Sequence, residues 1–298
     1  GSTLLLTGCG PKNYDLSGIS FNDATVNYDG TAKFIRLEGT LPEGLEVNYK
    51  YYTNETYETE ATSTIDAGTY YVKANFTAAK GYNTPESLTA KLVINKIDFA
   101  NVNFVVTATN EDYETSVEAK LNSDGSFYFE ANNKLYEKIT VTNNKGVNQS
   151  VKFYKDEQHT IEAPAALQNF GQKVYAVVTL TDKNFNDATF DLEIRVERKT
   201  IELKSYEDLL IMYDHIHGKN PLDQTARLNI RYLLANDIDC ADEQGNPRLW
   251  KSIVGFYSET IFFCSEFDGN NHTISNLKYN INSVDKDVSG SEDGLMIS

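Results

Sequence analysis

Between Leu228 and Leu277 apolar residues recur at short spacing, and each run ends in Asp, Asn or Gly: LNIRYLLANDIDCAD is followed by RLWKSIVGF and then by FFCSEFDGNNHTISNL. Short strands separated by tight turns are written in this way. The stretch is what the rest of the chain is organised around. Everything before it has the character of anchor and spacer.

With 298 residues the chain has room for about two domains, or three small ones. Lys and Arg number 27 against 43 Asp and Glu, a formal charge of −16. A phosphate backbone or an anionic lipid surface is repelled by such a chain unless a local basic patch intervenes, and no run of the sequence supplies one. No nucleic-acid partner is expected. Tyr (19) and Phe (15) stand beside many Thr, Val and Asn, the palette of strands with aromatic cross-strand pairs, so the expected class is mostly β. No apolar run approaches the roughly 18 residues of a membrane-spanning helix, so any membrane attachment is expected through a lipid anchor only.

Residues Leu4-Leu5-Leu6-Thr7-Gly8-Cys9-Gly10 resemble the tail of a bacterial lipoprotein signal, in which small residues precede a cysteine that becomes the lipidated mature N-terminus. The resemblance implies that Cys9 carries the lipid, that residues 1–17 are signal remnant and linker, and that the chain is exported and tethered, surface exposed, at a bacterial cell envelope. N-x-S/T triplets at Asn54, Asn75, Asn148 and Asn271 are acceptors for glycans only in a eukaryotic secreted protein.

From 18 to 97 the sequence spells one β module. Asp29-Gly30, Leu41-Pro42-Glu43-Gly44 and Asp66-Ala67-Gly68 are turn signals. Between them Val47, Tyr49 and Tyr51 alternate with polar residues, Tyr70, Val72, Ala74 and Phe76 share one face, and Leu88, Ala90, Leu92 and Ile94 close the module. About six short strands of this kind make a sandwich or a mixed sheet. The residues Val26-Asn27-Tyr28-Asp29-Gly30-Thr31, Gly39 with Leu41-Pro42, Asp66 to Tyr70, Gly81-Tyr82-Asn83 and Leu92 to Lys96 resemble the MBG or YDG-type module of bacterial surface proteins. The resemblance implies an extracellular spacer or adhesion module, Ig-like or β-grasp, without catalytic residues. Such modules come in tandem, and one clear copy is visible.

Residues 98–199 hold six more strand candidates, including Phe104 to Thr107, Ser126 to Phe129, Lys138 to Val141, Val151 to Tyr154, Val174 to Leu180 and Phe190 to Val196, at the spacing of an Ig-like sandwich. Neither module contains a Gly-rich phosphate loop or a metal-spaced Cys/His cluster, so neither a catalytic residue nor a cofactor is expected. The short junctions near Ile97 and Lys199 predict consecutive beads.

In 200–298 the period first changes. Leu209, Leu210, Tyr213 and Ile216 fall at helical spacing behind Ser205 as N-cap, with Asp208 at the third position. Pro221 to Leu228 reads as loop or helix, and strands follow around Ile230 to Ile238. A helix, Leu234 to Asp239, Trp250 to Gly255 and Phe267 to Leu277 together resemble the opening of the right-handed β-helix domains of bacterial surface proteins, often followed by GLUG-type repeats. Cys264 stands where that family has Gly. The resemblance implies an N-terminal cap and the first coils of a β-helix or solenoid; since at least three units are normally needed to bury their faces, the domain is expected either to be cut short at Ser298 or to end as a small capped fold. The expected architecture is mostly β: two tandem β modules, a short helix and these coils.

Several residues carry alternative chemistry. Asp237 and Asp239, with Asp242 or Asp268, are of a kind to bind Ca2+ or act as an acid pair, or else to cap tight turns through their own backbone. His215 and His217 point roughly 200° apart on a helix, which argues against a shared metal; His272 lies in a turn sequence without a nameable catalytic partner. Cys240 and Cys264 come within disulfide range if neighbouring coils bring them together, or are two small buried apolar residues. Tyr49, Tyr51, Tyr52 and Tyr57 are candidates for stacking on sugars, or pack across the sheet. The reading favoured is a non-enzymatic tethered adhesin or structural spacer that meets host glycan or surface protein. A carbohydrate-active β-helix enzyme with its catalytic coils past Ser298 and a nutrient-capturing lipoprotein are the alternatives.

Overall fold

A computed structural model describes residues 10–109, 116–131, 136, 138–167, 171–217, 221–250 and 264–278. Strands dominate it, with two helices among the described residues, and the protein is mostly β. The chain forms two compact units. One comprises Gly1–Val102, Gly146–Gln149 and Thr179–Thr189; the other comprises Asn103–Lys145, Ser150–Val178 and Phe190–Ser298. The units do not follow the linear cuts at 97 and 199, since 179–189 belongs with the first and 200–298 with most of 98–199.

In the first unit Ala24–Asn27 (β1), Glu46–Tyr52 (β2), Gly68–Thr77 (β3) and Leu88–Asn95 (β4) build one sheet in the order β1-β4-β3-β2. β2, β3 and β4 are antiparallel neighbours, Val47 opposite Phe76 and Tyr70 opposite Leu92, whereas β1 runs parallel to β4 with Ala24 opposite Leu92. Alternation gives the sheet two faces. Tyr70, Val72, Ala74 and Phe76 are buried, as are Ala90, Leu92 and Ile94, so both runs point their apolar residues to one side. Ile35, Tyr49 and Tyr51 pack into the same core. Each fully buried aliphatic side chain there contributes roughly 1.5–3 kcal/mol. Gly39 follows a two-way bridge between Ser20 and Glu38 and has φ +98°, a conformation that a side chain disfavours.

The next strands along the chain are Phe104–Thr109 (β5), Val117–Glu118 (β6), Lys120–Leu121 (β7), Phe127–Glu130 (β8), Lys138–Asn143 (β9), Asn148–Tyr154 (β10), Lys173–Asp182 (β11) and Phe185–Glu197 (β12). They form a three-stranded sheet β6-β5-β9 and a five-stranded sheet β10-β11-β12-β8-β7. Val174, Ala176, Val178 and Leu180 of β11 are buried, as are Ile194 and Val196 of β12 and Phe129 of β8, again by alternation.

The five-stranded sheet repeats the arrangement of the first. Its order β8-β12-β11-β10 matches β1-β4-β3-β2, and its first strand is likewise parallel to its last, Phe127 opposite Ile194 as Ala24 is opposite Leu92. The loop after the edge strand is also the same. Tyr52 bridges Glu60 and Tyr154 bridges Glu162. Asn54 Oδ1 accepts from the amides of Glu58 and Thr59, and Asp156 Oδ1 from those of Thr160 and Ile161. Tyr57 (φ +55°) and His159 (φ +58°) occupy the same left-handed position. The two sheets share strand order, alternation and loop chemistry rather than residue identity.

After β12 come Lys199–Leu203 (β13), helices Tyr206–His217 (α1) and Gln224–Leu228 (α2), and the short strands Ile230–Leu234 (β14), Ile238–Asp239 (β15), Arg248–Leu249 (β16), Glu266–Asp268 (β17), Ile274–Ser275 (β18) and Leu277–Lys278 (β19). Every pair among them is parallel: β13 with β14, β14 with β17, β15 with β18, and β16 with β19. Successive passes of the chain therefore lie in register, Lys199 beside Ile230 and Tyr232 beside Phe267. Helix α1 starts as its sequence predicts. Ser205 Oγ accepts from the Asp208 amide at 3.2 Å, and the Asp208 carboxylate accepts from the Lys204 amide at 2.8 Å. Asp223 caps α2, its carboxylate accepting from the Ala226 amide at 2.7 Å. Leu209, Met212 and Ile216 face a core with Leu203, Tyr232, Leu234, Cys240, Trp250 and Phe267. Gly218, Cys9, the run from Lys251 to Phe263 and everything after Lys278, Gly294-Leu295 included, lie outside the described residues.

Candidate functional site

The outer face of the first sheet is where aromatic and cationic side chains meet. In β2 the residues opposite in parity to Tyr49 and Tyr51 are Glu46, Asn48, Lys50 and Tyr52; on the same face β3 contributes Thr69, Tyr71, Lys73, Asn75 and Thr77, and β4 Thr89, Lys91, Val93 and Asn95. Strand register sets them side by side. Tyr52 is directly opposite Tyr71, Lys50 opposite Lys73, and Tyr71 opposite Lys91. The loop after β2 then returns Tyr57 onto this face, its amide donating to the Asn54 carbonyl at 3.2 Å. The Tyr57 ring stands nearly perpendicular to those of Tyr52 and Tyr71, with centroids 5.5 and 6.4 Å away. Lys73 Nζ lies 4.5 Å from the Tyr57 centroid, and Lys91 Nζ 5.8 Å from that of Tyr71. Cation–π contacts of this kind contribute about 0.5–1 kcal/mol at a surface.

Of the four tyrosines singled out in the sequence, the structure uses two differently. Tyr51 Oη accepts from the Ile35 amide at 3.0 Å and donates to the Ile35 carbonyl at 3.1 Å, and Tyr49 Oη accepts from the Leu37 amide at 2.9 Å. Both lie on the core side, where burial pushes the Tyr51 hydroxyl pKa up. They pin the 35–37 segment, with Arg36 over the Tyr49 ring at 5.6 Å. Tyr52 and Tyr57 are on the other side, joined by Tyr71 and three lysines that linear reading did not single out. The signal was there in the parity of each strand, but register across strands was needed to combine it.

The acidic residues near the chain end cap turns and tie successive passes together. Asp237 Oδ1 accepts from the Thr273 amide at 2.9 Å and is 3.2 Å from His272 Nδ1, and both contacts hold its carboxyl below the usual carboxylate range. Asp239 Oδ1 accepts from Asn276 Nδ2 at 2.6 Å and from the Ala241 amide at 3.0 Å. Asp242 accepts from the amides of Gln244 and Asn246, and Asp268 from that of Asn270. Asp242 turns to its own loop, Asp237 and Asp239 reach across to the 272–276 turn, and Asp268 meets the Asn270 amide and Arg231, so each carboxylate has its own partners. Among the described residues no group of three His, Cys, Asp or Glu is placed to hold a metal. Cys240 and Cys264 are free thiols rather than a disulfide. Cys240 is buried, its pKa raised to about 11 chiefly by burial, while Cys264 Sγ faces the Gln224 carbonyl at 3.8 Å.

His215 and His217 have separate partners. The His217 ring lies 5.4 Å from that of Tyr213, whereas His215 Nδ1 is 2.6 Å from Tyr232 Oη. Burial pushes the Tyr232 hydroxyl pKa up and lowers that of His215, with Asp214 opposing, so the two groups meet in their neutral forms. An unfolded histidine titrates near 6.5. The unfolded chain therefore takes up the proton first, and the stability associated with neutral His215 is complete above about pH 6.5 and is lost as pH falls below it. Urea titrations followed by the fluorescence of Trp250, the one tryptophan of the chain, are expected to show less acid destabilisation between pH 7 and 5.5 in His215→Gln than in the parent.

A cleft of about 390 Å³ in the second unit is lined by Lys173, Arg195, Arg198, Arg231, Glu197 and Glu266, among others. Its cations face carboxylates of their own: Lys173 and Arg195 meet Glu193 at 3.2 and 2.7 Å, Arg198 meets Glu266 at 3.0 Å, and Arg231 meets Asp268 at 3.4 Å. The outer face of the first sheet differs, since Lys50, Lys73 and Lys91 have no ion-pair partner among the described residues. No helix among the described residues is long and apolar enough to cross a membrane. Neither a protein-family model nor a curated protein matches the chain.

Proposed function

We propose that the protein is a non-enzymatic lipoprotein of a bacterial cell surface, held by a lipid on Cys9, that acts as an adhesin or structural spacer toward host glycan or surface protein. The observation that carries this reading is the repeated sheet. Two copies of one strand arrangement in one chain suit a series of β-grasp or Ig-like modules of the MBG or YDG type, whose work is to span distance and present a surface. The parallel, in-register passes from β13 to β19 suit the first coils of a β-helix behind a helical cap. The half-buried tyrosines on the outer face of the first copy, Tyr52, Tyr57 and Tyr71, supply aromatic surface of the kind that stacks on sugars.

The test is an immobilised panel of neutral and acidic glycans, mucin and host matrix proteins, probed with the chain from Lys12 onward. Saturable binding to at least one class supports the adhesin. Absence of binding throughout overturns the recognition role.

A further inference from the structure

Three lysines on one sheet face, two of them directly opposite each other, are out of place in a chain of net charge −16. Like charges in a cross-strand pair are destabilising, and Lys50 and Lys73 form such a pair with no ion-pair partner for either among the described residues. The acids closest by strand register are Glu46 at the far end of β2, Glu60 beside Tyr52 and Asp23, whose carboxylate accepts from the Lys91 amide at 2.7 Å; none of them forms an ion pair with Lys50, Lys73 or Lys91. Beside the lysines lie the rings of Tyr52, Tyr57 and Tyr71.

We propose that this face binds a carboxylated sugar, a sialyl or uronosyl residue of a glycan, with its ring against the Tyr52–Tyr71 pair and its carboxylate between Lys50 and Lys73. The inference rests on the adhesin reading and names the ligand class of that site. A pyranose offers C–H groups to an aromatic face and hydroxyls to phenol oxygens. The carboxylate supplies the charge that the cross-strand pair lacks.

The second copy is an internal control. Aligning the buried positions, Tyr154 and His159 replace Tyr52 and Tyr57, with rings 5.2 Å apart, and Tyr175 replaces Tyr71. Lys73, however, becomes Val177, and Lys91 becomes Glu193, itself paired with Arg195 and Lys173. Lys50 is matched by Lys152, so the shared module geometry carries the aromatic loop and this one lysine. What sets the first copy apart is Lys73 and Lys91.

The experiment titrates the full chain with 3′-sialyllactose, a glucuronate-terminated disaccharide and lactose, by calorimetry in low and moderate salt. An acidic sugar is expected to bind at least about tenfold more tightly than lactose and to weaken as salt rises. Lys73→Gln and Tyr71→Ala are each expected to lower that affinity about tenfold or more, and Tyr154→Ala to leave it unchanged. Lys50→Gln is expected to weaken binding while raising the melting temperature, since it removes a repulsion, which separates loss of site from loss of fold. Equal affinity for lactose, or acidic-sugar binding indifferent to Lys73→Gln, overturns the inference. If the glycan and protein panel still binds while these acidic sugars do not, the inference fails and the adhesin stands. If the panel binds nothing, both fail.

Discussion

Gly39→Ala is expected to destabilise the first unit by about 2–4 kcal/mol, more than any surface substitution in it. A Cβ on Gly39 would stand 2.1 Å from the Gly18 carbonyl oxygen and 3.1 Å from Ile19 Cδ1, at a φ of +98°. The obstacle is backbone, which cannot rotate aside, and it sits next to the Ser20–Glu38 bridge that fastens the N-terminal segment. Gly81 provides the comparison. Its φ is +89° but nothing lies within 4 Å of the added carbon, so Gly81→Ala is expected to cost only the conformational penalty, about 1 kcal/mol. Amide hydrogen exchange across β2, β3 and β4 measures both. Equal effects of the two substitutions would show that the contact with Gly18 is not what fixes this glycine.

Tyr232→Ala is expected to cost the second unit about 3–5 kcal/mol, the range for deleting a buried aromatic ring. Tyr232 is fully buried among Leu209, Met212, Ile216 and Leu234, and its hydroxyl is the partner of His215. Tyr232→Phe keeps the ring and removes only the hydrogen bond, for about 1 kcal/mol. Trp250 belongs to the same buried cluster, so its emission follows the unfolding of this core directly. A loss in Tyr232→Ala no larger than in Tyr232→Phe would mean that the ring's packing contributes little.

The strands themselves were legible. Tyr70, Val72, Ala74 and Phe76 alternate in the sequence and are buried in the structure, and Ser205 with Asp208 marks the start of α1. Parity along one strand is a local property, and local patterns survive in a linear reading. The relation between the two copies did not. Lys50-Tyr51-Tyr52 and Lys152-Phe153-Tyr154, with Glu60-Ala61 and Glu162-Ala163, are a thin residue of similarity. Asn54 and Asp156 perform one task with different side chains. The cationic face was hidden for another reason. Lys50, Lys73 and Lys91 are isolated in sequence, and only the registers of β2, β3 and β4 bring them together. The aspartates near Asp237 offered a metal because their spacing in sequence says nothing about direction; each carboxylate turns to a nearby amide instead.

The parallel pairing of β1 with β4 governs how the first module answers tension. Because Ala24 lies beside Leu92 and Asn27 beside Asn95, a pull transmitted in at Ala24 and out at Asn95 drags the two strands past each other along their length. Their hydrogen bonds, which run across the strands, then carry the force together and must break together, whereas an antiparallel terminal pair would peel open one bond at a time. β8 and β12 are joined in the same sense, Phe127 beside Ile194 and Glu130 beside Glu197, so the second copy is braced against shear in the same way.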